Sequence, residues 1–254
     1  RQHYSMAGVR TNKDGAAYGL KGLFSAGEAA CWDMHGFNRL GGNSLAETVV
    51  AGKIVGEKIV EFLQGYEVQY NTGVIRSAVT KQEERITRLI SGENGDESVY
   101  EVRNAMQDEL MERVGIFKNG ADLQKAVDNL QEIYGRAKKV GLRSNGVGAN
   151  PELGLALKIQ GMVKLALCTA YGALQRTESR GCHAREDYDA RNDRDWWNRT
   201  LATWKEGDDL PTLDYEPATK DVTLPPGERG YGVCKIISCD GEVIGVTEEE
   251  LVGD

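Results

Sequence analysis

The chain has 254 residues, 40% of them apolar, which is enough to bury a sizeable core in one or two domains. Its 39 acidic and 31 basic side chains leave a formal charge of −8, which excludes a nucleic-acid surface, since such a surface needs a basic stripe to neutralise phosphates. The longest apolar runs, such as Leu165 to Ala170, fall short of the roughly 20 residues of a membrane span, and no signal-peptide pattern opens the sequence, so any membrane association is expected through a partner.

Residues 1 to 42 alternate short apolar pieces with glycines, as in Met6-Ala7-Gly8-Val9 and Gly19-Leu20-Lys21-Gly22-Leu23-Phe24-Ser25-Ala26-Gly27. That pattern suits strands and turns that approach a ligand closely. From Ser44 to Leu63 the apolar positions Leu45, Val49, Ala51, Ile54, Val55, Ile59, Phe62 and Leu63 recur at helical spacing. Ser44 followed by Glu47 reads as a capping box, which would make Ser44 the N-cap. Four further amphipathic helices are predicted near 72–91, 97–115, 120–139 and 151–175, separated by Gly- and Asn-rich turns such as Lys118-Asn119-Gly120. Stripes such as Leu123, Ala126, Val127, Leu130, Ile133 and Tyr134 read as core, and the helices as an antiparallel bundle.

After Gln175 arginines and acids alternate, interleaved with Tyr188, Trp196 and Trp197, which points to a folded segment with internal ion pairs rather than a solvated face. Short β-type runs at 233–237 and 243–246 predict a small strand-containing tail. The fold class is therefore mainly α with α+β elements, in three parts: 1–70, 71–175 and 176–254. Five cysteines at scattered spacing fit neither a disulfide framework nor a zinc site, and Cys234 and Cys239 read as two reduced thiols beside a strand. No metal site is expected.

The chemistry concentrates in the stretch from Gly27 to Leu45. A helix beginning at Ser44 turns free N–H groups and the positive end of its dipole towards the residues before it, a setting for an anionic ligand. Arg39, in Asn38-Arg39-Leu40-Gly41, carries a planar fork that can grip a carboxylate with two parallel bonds. With Glu28 after Gly27, the segment Gly27-Glu28…His35-Gly36-Phe37-Asn38-Arg39-Leu40-Gly41-Gly42-Asn43-Ser44 resembles the one that closes the flavin site in flavoprotein subunits of fumarate reductase and succinate dehydrogenase. Gln2-His3-Tyr4-Ser5-Met6-Ala7-Gly8-Val9 resembles the same family's strand, with Ala7 where glycine is common. Arg176-x-Glu178-Ser179-Arg180-Gly181-x-His183-x-Arg185-x-Asp187 resembles the segment that joins its helical bundle to its tail, and is read as structural.

The resemblance implies that His3 and Arg39 bind the carboxylates of fumarate or succinate. It also implies that Glu28 accepts hydrogen bonds from the ribose hydroxyls of FAD, and that Ser44 and Leu45, with Arg39 beside the flavin, meet its pyrimidine edge. Hydride would pass between FAD and the dicarboxylate. The partners implied are an iron–sulfur subunit and, from the wording of Trp32 to Phe37 and Arg229-Gly230-Tyr231-Gly232, a di-haem membrane cytochrome b subunit. The expected setting is peripheral, on the cytoplasmic side of the inner membrane, in anaerobic respiration or the tricarboxylic acid cycle. No Gly-x-Gly-x-x-Gly follows a strand. The resemblance implies that the pyrophosphate loop and the proton-delivering arginine lie upstream, so no catalytic residue is expected within 1–254 and the chain is expected to be inactive alone. An L-aspartate oxidase-like enzyme and an inactive helical docking domain are the alternatives.

Overall fold

The computed structural model describes residues 8–32, 34–36, 38–67, 71–146, 148–218, 234–237 and 241–246. The chain forms two compact units, residues 1–72 and 73–254.

In the first unit, β1 (Val9–Arg10) runs parallel to β2 (Ala30–Cys31). The backbones touch where Gly8 meets Ala29 and Ala30, a close approach that leaves no room for a Cβ. Between the strands, residues 11–25 fold back through the bridges Thr11–Ala17 and Ala16–Phe24, and a 3-10 turn, Gly27–Ala29, leads into β2. The long helix α1 (Asn43–Leu63) buries Ala51 and Val55 against this loop region, and Phe62 stacks edge-on to Phe24 at 5.5 Å.

The second unit begins with α2 (Thr72–Ser91), exposed along most of its length, with Leu89 reaching the core. Then come β3 (Glu97–Ser98), α3 (Val99–Arg113), β4 (Phe117–Lys118), α4 (Gly120–Ala137), β5 (Val140–Gly141) and α5 (Pro151–Gln175). Helices α3, α4 and α5 pack around one core in which Val99, Val102, Leu123, Ala126, Leu130, Ile159, Val163 and Leu167 are fully or almost fully buried.

Each of those three helices starts on a side-chain cap. Ser98 Oγ accepts from Glu101 N at 3.5 Å, Asn119 Oδ1 from Asp122 N at 2.9 Å, and Asn150 Oδ1 from Leu153 N at 3.1 Å, with Pro151 in the first helical position where no N–H is needed. Helix α5 is, by length and composition, apolar enough to cross a membrane, with a mean hydropathy of 1.4 over an 18-residue stretch. That differs from the reading of short apolar runs, because Lys158, Gln160 and Lys164 break the runs while leaving the average of the helix apolar. Here its apolar face, from Ala156 to Ala173, is the centre of the core.

Two short parallel pairs tie the helix ends together: β3 with β5, and β4 with β6 (Ala184–Arg185). At the first, Gly141 packs directly on the carbonyl of Gly95. The segment after α5 continues through β7 (Ala190–Asn192), the single turn α6 (Asp193–Trp196), and the antiparallel hairpin β8 (Asn198–Thr203) and β9 (Thr212–Pro217). The predicted tail strands are β10 (Cys234–Ile237) and β11 (Val243–Val246), which pair antiparallel, with β10 parallel to β7. Cys239 lies outside the described residues, as does the Arg229–Gly232 stretch. Cys31, Cys168 and Cys182 are free thiols.

The charged segment after α5 is a buried ion-pair network, as its alternation predicts. Glu178 is fully buried and accepts from Arg176 Nη1 at 2.6 Å, Arg180 Nε at 2.8 Å, Arg180 Nη2 at 3.0 Å and the Asn192 amide at 2.8 Å. Arg180 also holds Asp193 at 2.7 Å. His183, 4% exposed, faces the Arg176 carbonyl at 3.2 Å. Burial pushes its pKa down to about 4, opposed by that carbonyl and reinforced by the cations of Lys118, Arg176 and Arg185.

Candidate functional site

The stretch from Gly27 to Leu45 lies in the first unit. Glu28 sits in the middle of the 3-10 turn and is exposed. Gly27, at φ +66°, rests against α1, where a Cβ would lie 3.1 Å from Thr48 Oγ1. Only a residue without a side chain allows both that backbone conformation and that contact. Thr48 Oγ1 in turn donates to the Ser44 carbonyl at 2.8 Å. The turn bearing Glu28 and the helix start bearing Ser44 therefore meet at Gly27 and Thr48.

Arg39 is half-buried in the loop that enters α1, and its Nη1 donates weakly to the Leu40 carbonyl at 3.4 Å. Leu45 is 74% exposed and Ser44 half-buried. His3 lies outside the described residues.

The capping box is not formed. Helix α1 starts one residue earlier, at Asn43, on Gly42 in the left-handed region at φ 82°, and no side chain caps it. Ser44 is thus inside the first turn. Glu47 turns away from the backbone to His35, whose Nε2 lies 2.7 Å from Glu47 Oε2. The physical reason is competition: a buried carboxylate gains more from an imidazole partner than from one backbone amide. The helix start consequently keeps amide donors without a side-chain acceptor.

This pair is the element that sequence reasoning missed. Its signal was His35 and Glu47 themselves, 12 residues apart with a glycine-flanked loop between them. Among the described residues, no group of three metal-ligating side chains comes together.

Residues 103–231 match the family described as fumarate reductase flavoprotein C-term, about half of the chain. The chain belongs to that family. Residues 1–45 of this fumarate reductase flavoprotein family member also match the FAD binding domain family.

Among relatives, the fumarate reductase flavoprotein subunit of Helicobacter pylori is 46% identical over 233 residues, which cover 91% of this chain and 32% of the relative. The succinate dehydrogenase flavoprotein subunit of Rickettsia bellii is 34% identical over 244 residues, covering 90% of this chain and 40% of the relative. Among solved structures, the FrdA chain of an E. coli quinol fumarate reductase superposes with a TM-score of 0.80 at 33% identity, covering 89% of this chain and 38% of that one. This family member thus spans between 32% and 40% of the length of these relatives.

Proposed function

We propose that this chain is the C-terminal portion of a flavoprotein subunit that interconverts fumarate and succinate, with FAD as its cofactor. FAD, when bound, supplies the group that takes up or gives the hydride. The chain's own residues bind and orient.

Glu28 accepts hydrogen bonds from the ribose hydroxyls, a role suited to a carboxylate, which is an acceptor only. Ser44 and Leu45 present the start of α1 to the pyrimidine edge of the flavin. The fit rests on the start of α1, where Gly42 contributes no cap and leaves donors and the positive end of the dipole available to an electron-rich ring edge. Arg39 and His3 hold the two carboxylates of the substrate, and Arg39 stabilises charge that develops on them in the transition state.

The proton-delivering arginine belongs upstream, and no residue of 1–254 is assigned that role. Residues 1–70 are taken as the end of the FAD-binding domain, 71–175 as a supporting antiparallel bundle and 176–254 as a tail domain. The iron–sulfur subunit and a membrane cytochrome b receive or supply the electrons, with the flavoprotein peripheral on the cytoplasmic side of the inner membrane.

The observation that supports this reading is that the turn bearing Glu28 packs on α1 through Gly27 and Thr48, while the loop bearing Arg39 runs directly into the uncapped start of the same helix. The test is Arg39→Lys in the assembled enzyme. An ammonium cannot reproduce the bidentate grip, so kcat/KM for fumarate should fall by a factor of about 100 or more. Near-normal turnover would remove Arg39 from the site.

A further inference from the structure

Glu47 is a buried acid that the proposed chemistry does not use. Its side chain is 4% exposed, and the His35 ring nitrogen stands 2.7 Å from it, itself 15% exposed. A carboxylate in such a place is costly unless a partner satisfies it, so the pair fixes His35 against the second turn of α1. His35 opens the loop that carries Arg39, and the loop closes on the helix start itself, where Asn43 N donates to the Leu40 carbonyl at 3.2 Å. Gly36 at φ +56° and Gly42 at φ +82° lie at its two ends, and neither has a neighbour within 4 Å of the position a Cβ would take. Both are positions where the backbone can swing without a packing barrier.

The adjacent residue on α1, Thr48, is the one packed on Gly27, beside Glu28. Two consecutive residues of one helix therefore grip two separate segments: Thr48 holds the turn with the carboxylate, and Glu47, through His35, holds the loop with the arginine.

We propose that Glu47 is a positioning residue for substrate binding, setting the reach of Arg39 relative to the cofactor-side turn by anchoring His35. This rests on the reading of Arg39 as a carboxylate ligand. Glu47 touches neither substrate nor cofactor. Its effect is geometric, and a displacement of about 1 Å in a substrate-orienting group costs up to about 100-fold in rate.

The experiment uses the assembled flavoenzyme with Glu47→Leu, Glu47→Gln and His35→Leu. FAD content, kcat and KM are measured for fumarate reduction and succinate oxidation. Glu47→Leu and His35→Leu should each raise KM at least 10-fold while FAD stays stoichiometric, because Glu28 and Thr48 are untouched. Glu47→Gln, which can still hydrogen-bond an imidazole nitrogen, should recover most of the loss.

A role confined to stability would lower the amount of active enzyme and leave KM alone. An unchanged KM in His35→Leu, or a Gln variant no better than Leu, overturns the proposal. Should Glu47→Leu fail to fold, the loop variant His35→Leu and the Gln variant still decide it. If the unsubstituted enzyme shows neither activity, the functional reading itself falls, and the role of Glu47 with it.

Discussion

Replacing Glu178 by glutamine isolates the ion-pair network behind α5. The two carboxylate oxygens of Glu178 together accept four hydrogen bonds, three of them from guanidinium groups and one from the Asn192 amide. Glutamine keeps one acceptor and turns an NH2 group towards the other pair of donors. Two bonds to charged or aligned donors are lost, at about 1.5–3 kcal/mol each for those involving charge. Arg176 is left without the carboxylate that neutralises it, whereas Arg180 retains Asp193. Breaking one partner out of a buried pair costs about 3–5 kcal/mol, and the two routes agree on about 4 kcal/mol.

Urea unfolding at pH 7, followed by tryptophan emission, is the assay. Three of the four tryptophans, Trp196, Trp197 and Trp204, lie in the second unit, and the Trp196 ring sits 4.9 Å from the Arg176 guanidinium. In a unit of this size the same loss corresponds to a fall in Tm of roughly 8–16 °C. The exposed pair Lys138–Asp209, tested as Asp209→Asn, should change stability by less than about 1 kcal/mol. A loss below about 1 kcal/mol in Glu178→Gln would refute the reasoning, because it would show the network behaving as a solvated surface.

His183 gives the second unit a pH dependence of determined sign. Its folded pKa of about 4 lies below the ordinary 6.5, so the unfolded chain takes up the proton first. Stability on the order of 3 kcal/mol, fully present above pH 6.5, should be lost as pH falls from 6.5 to 4; His183→Gln should flatten that window, and an unchanged slope would count against the buried neutral imidazole. Hydrogen exchange should find slow amides through α4 and α5 without any flavin and fast ones along the exposed first half of α2. Uniform protection across α2 and α5 would contradict the packing described.

The helices were legible because each carries a period of 3.6, and three of them carry a cap residue ahead of it. What escaped the sequence lies where two chain segments compete for one group. Ser44 and Glu47 have the spacing of a capping box, yet Gly42 could enter the left-handed region and His35 could reach Glu47, and neither fact is local. The two-residue strands β3 to β6 are too short to show alternation. The pairing of β3 with β5 depends on Gly95 and Gly141, distant in sequence, which allow the backbones to touch. Lys118, 2% exposed and donating to the Ile116 carbonyl at 3.0 Å, reads in sequence as a surface turn residue. Only the pairing of β4 with β6 buries it, and that burial, with Arg185 nearby, lowers its pKa.

An arginine-rich segment in a family whose relatives are fumarate reductases invites assignment as a substrate clamp. The geometry of Arg185 argues otherwise. Its Nη1 donates to the carbonyls of Ala173, Leu174 and Arg176 at 2.9, 3.0 and 3.2 Å, three of the acceptors that the end of α5 leaves without helical partners. Its Nε and Nη2 fork onto Asp187 at 2.7 and 2.8 Å, and Asp187 Oδ2 accepts the amide of Gly120, in the first position of α4, at 2.9 Å. A cation thus closes the negative end of one helix and an anion the positive end of the next. The guanidinium holds the Asp187 carboxyl at about 2, well below the usual range. Every donor that could have met a substrate carboxylate from Arg185 is turned to the backbone or to Asp187, so the spacing Arg-x-Asp in this segment is a helix clasp.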